Sequence, residues 1–176
     1  MGGIHVTRIL ERVEIDHTKL DLFVVDDETK LPLGRPWITV LIDIYSRSIT
    51  GFFIGFEPPS FLSVMRALQH SILPKTYVAE LYPTIKNTWP CYGVPECLVT
   101  DNGKEFWSDD LELACFELKM NLYRTPVKKP WYKAVVERYF RTINLELLDE
   151  MPGKTFGDII KRGDYDPQKN AVIRFS

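Results

Sequence analysis

Cys97-Leu98-Val99-Thr100-Asp101-Asn102-Gly103-Lys104-Glu105-Phe106 is the stretch on which the fold turns. The apolar, β-prone residues before Asp101 make a strand over Glu96 to Thr100, and Asn102-Gly103 then demands a turn. This order puts Asp101 at the C-terminal tip of a buried strand, where open α/β sheets hold ligands and metals. Beyond the turn, Ser108 or Asp109 can cap a helix whose Leu111, Ala114, Cys115 and Leu118 make an apolar stripe. Asn121 to Arg124 reads as the next strand. A strand, a helix and a strand in succession imply a parallel crossover.

Upstream, Val13-Glu14-Ile15-Asp16 alternates apolar and acidic residues, and Leu20 to Val25 adds more strand-type side chains. One strand is expected from about Val13 to Val25, bulged near His17 to Lys19. Leu31 to Pro36 reads as a turn, and Trp37 to Ile44 and Ile49 to Phe56 as strands. Short connections between these three strands point to an antiparallel meander. Asp43 is expected to pair with Arg47 across the turn between the second and third, and Asp21 to be a strand-surface charge. Ser60 can cap a helix from about Phe61 to Leu73, in which Leu62, Met65, Leu68 and Ile72 recur at helical spacing. Leu81, Ile85 and Trp89 hint at a further helical turn or two, interrupted by Pro83 and Pro90. The sum is an α/β chain with a five-stranded mixed β-sheet flanked by α-helices.

Thr125 to Trp131 is a loop fenced by Pro126 and Pro130, and Trp131 is either an anchor for it or a surface on which a base can stack. A helix follows from about Tyr132 to Leu148. Val136, Phe140, Ile143 and Leu147 form its apolar face, while Lys133, Glu137, Arg141 and Asn144 line the opposite one. Residues 151–176 are rich in Gly, Asp and Lys, with a possible strand at Ala171 to Phe175. The expected organisation is a lead-in over 1–12, a catalytic core over 13–150, and a linker opening a further domain over 151–176.

Composition narrows the function. The 176 residues are 45% hydrophobic and 12% aromatic, enough to build a core and too apolar for disorder. No run approaches a membrane span, and the N-terminus lacks a signal-peptide core, so a cytoplasmic protein is expected. Three cysteines without metal-ligand spacing argue against a zinc module or a disulfide framework. The net charge of −2 is awkward for a nucleic-acid protein. Charge is unevenly spread, however: residues 124–141 hold Arg124, Lys128, Lys129, Lys133, Arg138 and Arg141 against the single acid Glu137.

Three carboxylates, Asp16, Asp101 and Glu137, stand apart from the rest, with 35 residues between the last two. Carboxylates without a His or Cys cluster suit a hard divalent ion such as Mg²⁺. Two such ions can act on opposite sides of a phosphodiester. Lys128, Lys129, Lys133, Arg138, Arg141 and Asn144 are the candidate DNA contacts around them. His17 and Asn102 are candidate neighbours that orient the carboxylates, although Asn102 can equally just shape its turn. Glu105 is expected to be structural.

Strand-borne Asp16, Asp101 in Thr-Asp-Asn-Gly-Lys-Glu-Phe and Glu137 in Lys-Ala-Val-Val-Glu-Arg-Tyr-Phe resemble the catalytic core of the DDE transposases and retroviral integrases. The resemblance covers about residues 13–150. Arg47 in Asp-Ile-Tyr-Ser-Arg, the Lys-Lys-Pro loop and the Glu-Arg-x-Phe-Arg-Thr-x-Asn helix look like the bacterial branch, near phage Mu transposase. The segments Pro152 to Phe156 and Arg162 to Asp166 look most like the TnsB-type subunit of heteromeric transposons. Ala134 departs from the glycine many relatives carry there. The resemblance implies an RNase H-like fold and dependence on two Mg²⁺ ions, with Mn²⁺ as a substitute. It also implies 3′-end cleavage at transposon ends and transfer of the 3′-hydroxyl into target DNA. Partners implied are both DNAs, further copies of the full-length protein on paired ends and other transposition subunits, in a bacterial cytoplasm at the nucleoid. A structure-selective nuclease of the same fold and a non-catalytic, transposase-derived binding module are the alternatives.

Overall fold

The computed structural model describes residues 5–126, 134–144, 148, 171 and 173–175. Five strands form the main sheet: β1 (Val13–Lys19), β4 (Trp37–Asp43), β5 (Ile49–Gly55), β6 (Cys97–Thr100) and β7 (Asn121–Arg124), in the order β5-β4-β1-β6-β7. β1 pairs with β6 in parallel, and β6 with β7 in parallel. β4 and β5 are neighbours joined by five residues, too few for a parallel crossover, so this pair is antiparallel and the sheet is mixed. A second, three-stranded sheet combines β2 (Val24–Asp26), β3 (Pro32–Gly34) and β8 (Arg174–Phe175) in the order β3-β2-β8.

That second sheet corrects two expectations. Val13 to Val25 is not one bulged strand, because Leu20 turns its N–H to the Pro36 carbonyl (2.9 Å) and β2 departs to pair with β3. Leu31 to Pro36 is not simply a turn, because Pro32–Gly34 is β3 itself. The strand expected near Ala171 to Phe175 exists as β8 and runs parallel to β2, with the Val25 N–H donating to the Ile173 carbonyl at 2.9 Å.

The chain divides into two compact units. The first comprises Met1–Asp16, Thr39–Phe53 and Pro59–Val136. Its core joins Val13, Ile15, Leu41 and Leu98 from the sheet to Val64, Ala67 and Leu68 of α1 (Phe61–Ile72). Phe106 and the α3 residues Leu111 and Cys115 close that core, α3 being Asp109–Glu117. α1 begins where Ser60 and Ser63 cap each other reciprocally, which satisfies two backbone donors at the helix start. Only Leu111 and Cys115 of α3 are buried, and Leu118, expected on the stripe, ends outside. α2 (Tyr77–Leu81) is a single short turn of helix, and Ile85 and Trp89 lie beyond it.

The second unit comprises His17–Ile38, Ile54–Pro58 and Glu137–Ser176. Leu20, Leu22, Val24, Val25 and Ile38 are buried in it, as are Phe140 of α4 (Ala134–Thr142) and Ile143 just after it. Asp21, expected as a strand-surface charge, instead lies in a bend between β1 and β2, where it pairs with Arg35, whose Nε also donates to the Leu20 carbonyl at 2.8 Å. α4 carries the expected apolar stripe through Val136 and Phe140, and Ile143 continues it. Leu147, most of 151–176 and the linker expected there lie outside the described residues.

Candidate active site

Register brings the first two carboxylates together. Val13 lies opposite Leu98 and Glu14 opposite Val99. Continued two residues further, past the end of β6 at Thr100, the same register would bring Asp16 level with Asp101. Side chains at equal level on paired parallel strands leave the same face, with strands about 4.8 Å apart. Val13, Ile15 and Leu98 point into the core beneath α1, so by alternation Glu14, Asp16 and Asp101 leave by the opposite face.

The end of β6 is tied down around Asp101. Its Oδ1 accepts the Gly103 N–H at 2.8 Å, the bond that closes the Asn-Gly turn. The Thr100 carbonyl accepts the Thr125 N–H at 2.9 Å, and Asn102 Nδ2 donates to the Thr125 carbonyl at 2.7 Å. Asn102 therefore stitches the turn to the end of β7. Glu105 folds back over Gly103, where its carboxylate occupies the space a Cβ would need. Phe106, wholly buried, anchors the 3₁₀ turn Lys104–Phe106 in the core.

Asp16 and Asp101 are both half-buried, and Glu137 is exposed on α4, in the second unit. Among the described residues, no three His, Cys, Asp or Glu side chains gather closely enough to hold a metal ion. His17 follows Asp16 along β1 and so leaves the opposite face of the strand. Of the expected DNA contacts, Arg138 and Arg141 are exposed on α4, and Asn144 is half-buried with its Oδ1 accepting the Asp21 N–H at 3.2 Å. Lys128, Lys129, Lys133 and Trp131 lie outside the described residues.

Three features were not foreseen. Glu14, 1% exposed and on the same face as Asp16, pairs with Arg12 at 3.4 Å, and Arg12 also lies over the Tyr123 ring. An acid within a buried strand, two residues after an arginine, is the sequence signal that could have found this pair. Asp43 does not pair with the Arg47 side chain. It is buried and accepts from the Leu10 N–H (2.9 Å), the Ser46 N–H (2.7 Å) and the Ser46 hydroxyl (2.6 Å). Arg47 sits in the left-handed region at φ 64°, and only its backbone N–H reaches back, to the Asp43 carbonyl. Finally, Arg124 is used within the protein, donating to the Phe106 carbonyl (3.0 Å) and to Glu112 (2.7 Å).

Comparison with known proteins agrees with this arrangement. A mixed five-stranded sheet flanked by helices is an RNase H-like fold of the kind found in transposase and integrase cores. The family model for the TnsB C-terminal domain matches residues 14–153, and the chain belongs to that family. It is 35% identical over 167 residues to the Escherichia coli transposon Tn7 transposition protein TnsB, covering 92% of this chain and 24% of that protein. It is 34% identical over 140 residues to the Staphylococcus aureus transposase for transposon Tn552, covering 80% of this chain and 27% of that protein. The chain thus spans about a quarter of the length of these curated relatives. In fold it is similar to a chain of the simian T-cell lymphotropic virus intasome, solved with the PP2A regulatory subunit B56 gamma. That match has a TM-score of 0.58 at 18% identity and covers 97% of this chain and 49% of the other. Among the described residues, no helix is long and apolar enough to cross a membrane.

Proposed function

We propose that this transposase core cleaves the 3′ ends of transposon DNA and transfers the resulting 3′-hydroxyl into target DNA, with Asp16, Asp101 and Glu137 as its catalytic carboxylates. The observation that supports the reading is the parallel register of β1 on β6, in which Glu14 lies opposite Val99, two residues before Asp16 and Asp101 respectively. Two adjacent carboxylates repel each other until a cation joins them, and their hard oxygen donors suit Mg²⁺, with Mn²⁺ as a substitute. Asp16, Asp101 and Glu137 are the residues that would hold two such ions. Bound there, the metals would promote deprotonation of the attacking water or hydroxyl and stabilise the departing oxygen.

The protein's own part is positioning. The bonds from Gly103 to Asp101 and from Asn102 to Thr125 fix the strand tip, so the Asp101 carboxylate is preorganised rather than ordered during reaction. His17 supports the site through the strand it shares with Asp16. Lys128, Lys129, Lys133, Arg138, Arg141 and Asn144 contact the DNA backbone, a role that makes binding fall steeply with salt. The full-length protein acts as a multimer on paired transposon ends with other transposition subunits, in the cytoplasm at the nucleoid.

The test is strand joining by the full-length parent with Mg²⁺ and a pre-nicked transposon end, comparing wild type with Asp101→Asn and Glu137→Gln. Both substitutions keep shape and remove the ligand charge, and both are expected to abolish joining while folding and DNA binding persist. Unimpaired joining by either variant refutes the assignment. Wild-type nicking without joining replaces it with a nuclease.

A further inference from the structure

Trp107 lies six residues beyond Asp101, at the end of the tethered turn. Its N–H donates to the Lys104 carbonyl at 3.1 Å, and Phe106 beside it is wholly buried. The backbone of Trp107 is therefore fixed, yet its side chain is 61% exposed. Tryptophan carries a large apolar surface that folding ordinarily removes from water. Here the indole stands outside the core cluster while its neighbour Phe106 fills it.

What holds the indole is Arg124. The guanidinium lies 4.3 Å from the ring centroid, within cation–π range. Arg124 is itself immobilised by the Phe106 carbonyl and by Glu112, and it is mostly buried, with 19% of its side chain exposed. It occupies β7 directly opposite Thr100, the residue before Asp101. A rigid prop level with the strand tip thus holds one part of an aromatic ring and leaves the rest open to solvent. A fixed, open aromatic face offers stacking to any nucleobase, since every base has a π-face. A base inside a duplex is stacked on both sides and even a terminal pair offers only its outer face, so the better match is to an unpaired base.

We propose that Trp107, propped by Arg124, is a stacking platform for an unpaired base of the DNA end beside Asp101. This rests on the reading of the chain as a DNA-joining core and adds to it a positioning contact. The platform orders the strand end and takes no part in bond making.

The experiment uses the full-length parent and two DNAs: a duplex with a three-nucleotide single-stranded end carrying 2-aminopurine, and its blunt counterpart. Wild type, Trp107→Phe and Trp107→Ala are compared by 2-aminopurine quenching and by binding affinity, with circular dichroism to verify folding. Wild type should quench the probe and bind the overhang DNA about tenfold more tightly than Trp107→Ala. Trp107→Phe should keep most of both effects, and blunt-duplex affinity should be the same for all three. Equal quenching and affinity for wild type and Trp107→Ala overturns the platform while leaving the joining function standing. Failure of wild type to bind either DNA overturns the functional reading and the platform with it.

Discussion

Replacing Gly51 by alanine drives a methyl group into the backbone of α1. A Cβ at this position would lie 2.4 Å from Ser71 N, 2.6 Å from Ser71 Cα and 2.8 Å from the Ala67 carbonyl oxygen. Non-bonded carbon contacts settle near 3.5–4.0 Å, so β5 and the end of α1 must separate by about 1 Å. None of the obstructing atoms is the free end of a side chain, so no rotamer change relieves the clash. Separation also breaks the buried hydrogen bond from Ser71 Oγ to Thr50 Oγ1, now 2.7 Å long. Overpacking costs roughly 1–3 kcal/mol and a buried hydrogen-bond group left unmet roughly 1–3 kcal/mol, so a loss of about 4 kcal/mol is expected. That is a large share of the roughly 5–15 kcal/mol that stabilises a typical domain. Urea unfolding should show a much lower midpoint at unchanged slope. A loss below about 1 kcal/mol would refute the packing of β5 on α1 described here.

Other predictions concern buried polar groups. Lys75, 5% exposed, donates to the Ser71 and Leu73 carbonyls, and burial pushes its pKa down to about 8. The unfolded chain holds that proton up to about pH 10.4. Between these values the unfolded state therefore binds more protons, so stability rises with pH across that window, by up to about 3 kcal/mol. Cys115 titrates in the same window with the opposite sign, so Lys75 is read from the difference between variants: from pH 7.5 to pH 10, chemical denaturation should show wild type gaining about 2 kcal/mol relative to Lys75→Met. Asp43→Ala removes the acceptor of three hydrogen bonds inside the first unit and should cost about 3 kcal/mol by urea melts. Asp43→Asn should recover less than half, because its amide presents a donor where the carboxylate accepted. Burial also pushes the Cys115 thiol up to about 11, so iodoacetamide at pH 8 should leave it unmodified until the chain unfolds, as read by mass spectrometry.

Elements built from local signals were legible in the sequence. α1 follows from Ser60 and the apolar spacing behind it, and β6, the Asn-Gly turn, α3 and β7 follow from one another in order. The candidate pair Asp16 and Asp101 was legible for the same reason, since each ends or interrupts an apolar run. The sheet of β2, β3 and β8 was not, although a strand at β8 was expected, because strands of two or three residues carry no periodicity and β8 lies far along the chain from β2. Asp43 was misread because opposite charges four residues apart suggest an ion pair. Instead the N–H and hydroxyl of Ser46 and the N–H of the distant Leu10 reach the carboxylate. Arg124 was counted toward a DNA-facing surface, yet a partner aromatic and an acid are both within its reach, and burial gave it to them.

The central claim is that Asp16 and Asp101 share a divalent cation, and Mn²⁺ binding tests it most directly. Free Mn²⁺ is followed by electron paramagnetic resonance while the chain is titrated, for wild type, Asp16→Asn and Asp101→Asn, with Glu28→Gln on an exposed turn as the control. Wild type should show saturable binding that Mg²⁺ displaces, lost in both site variants and kept in the control. Undiminished Mn²⁺ binding by Asp16→Asn or Asp101→Asn would contradict it.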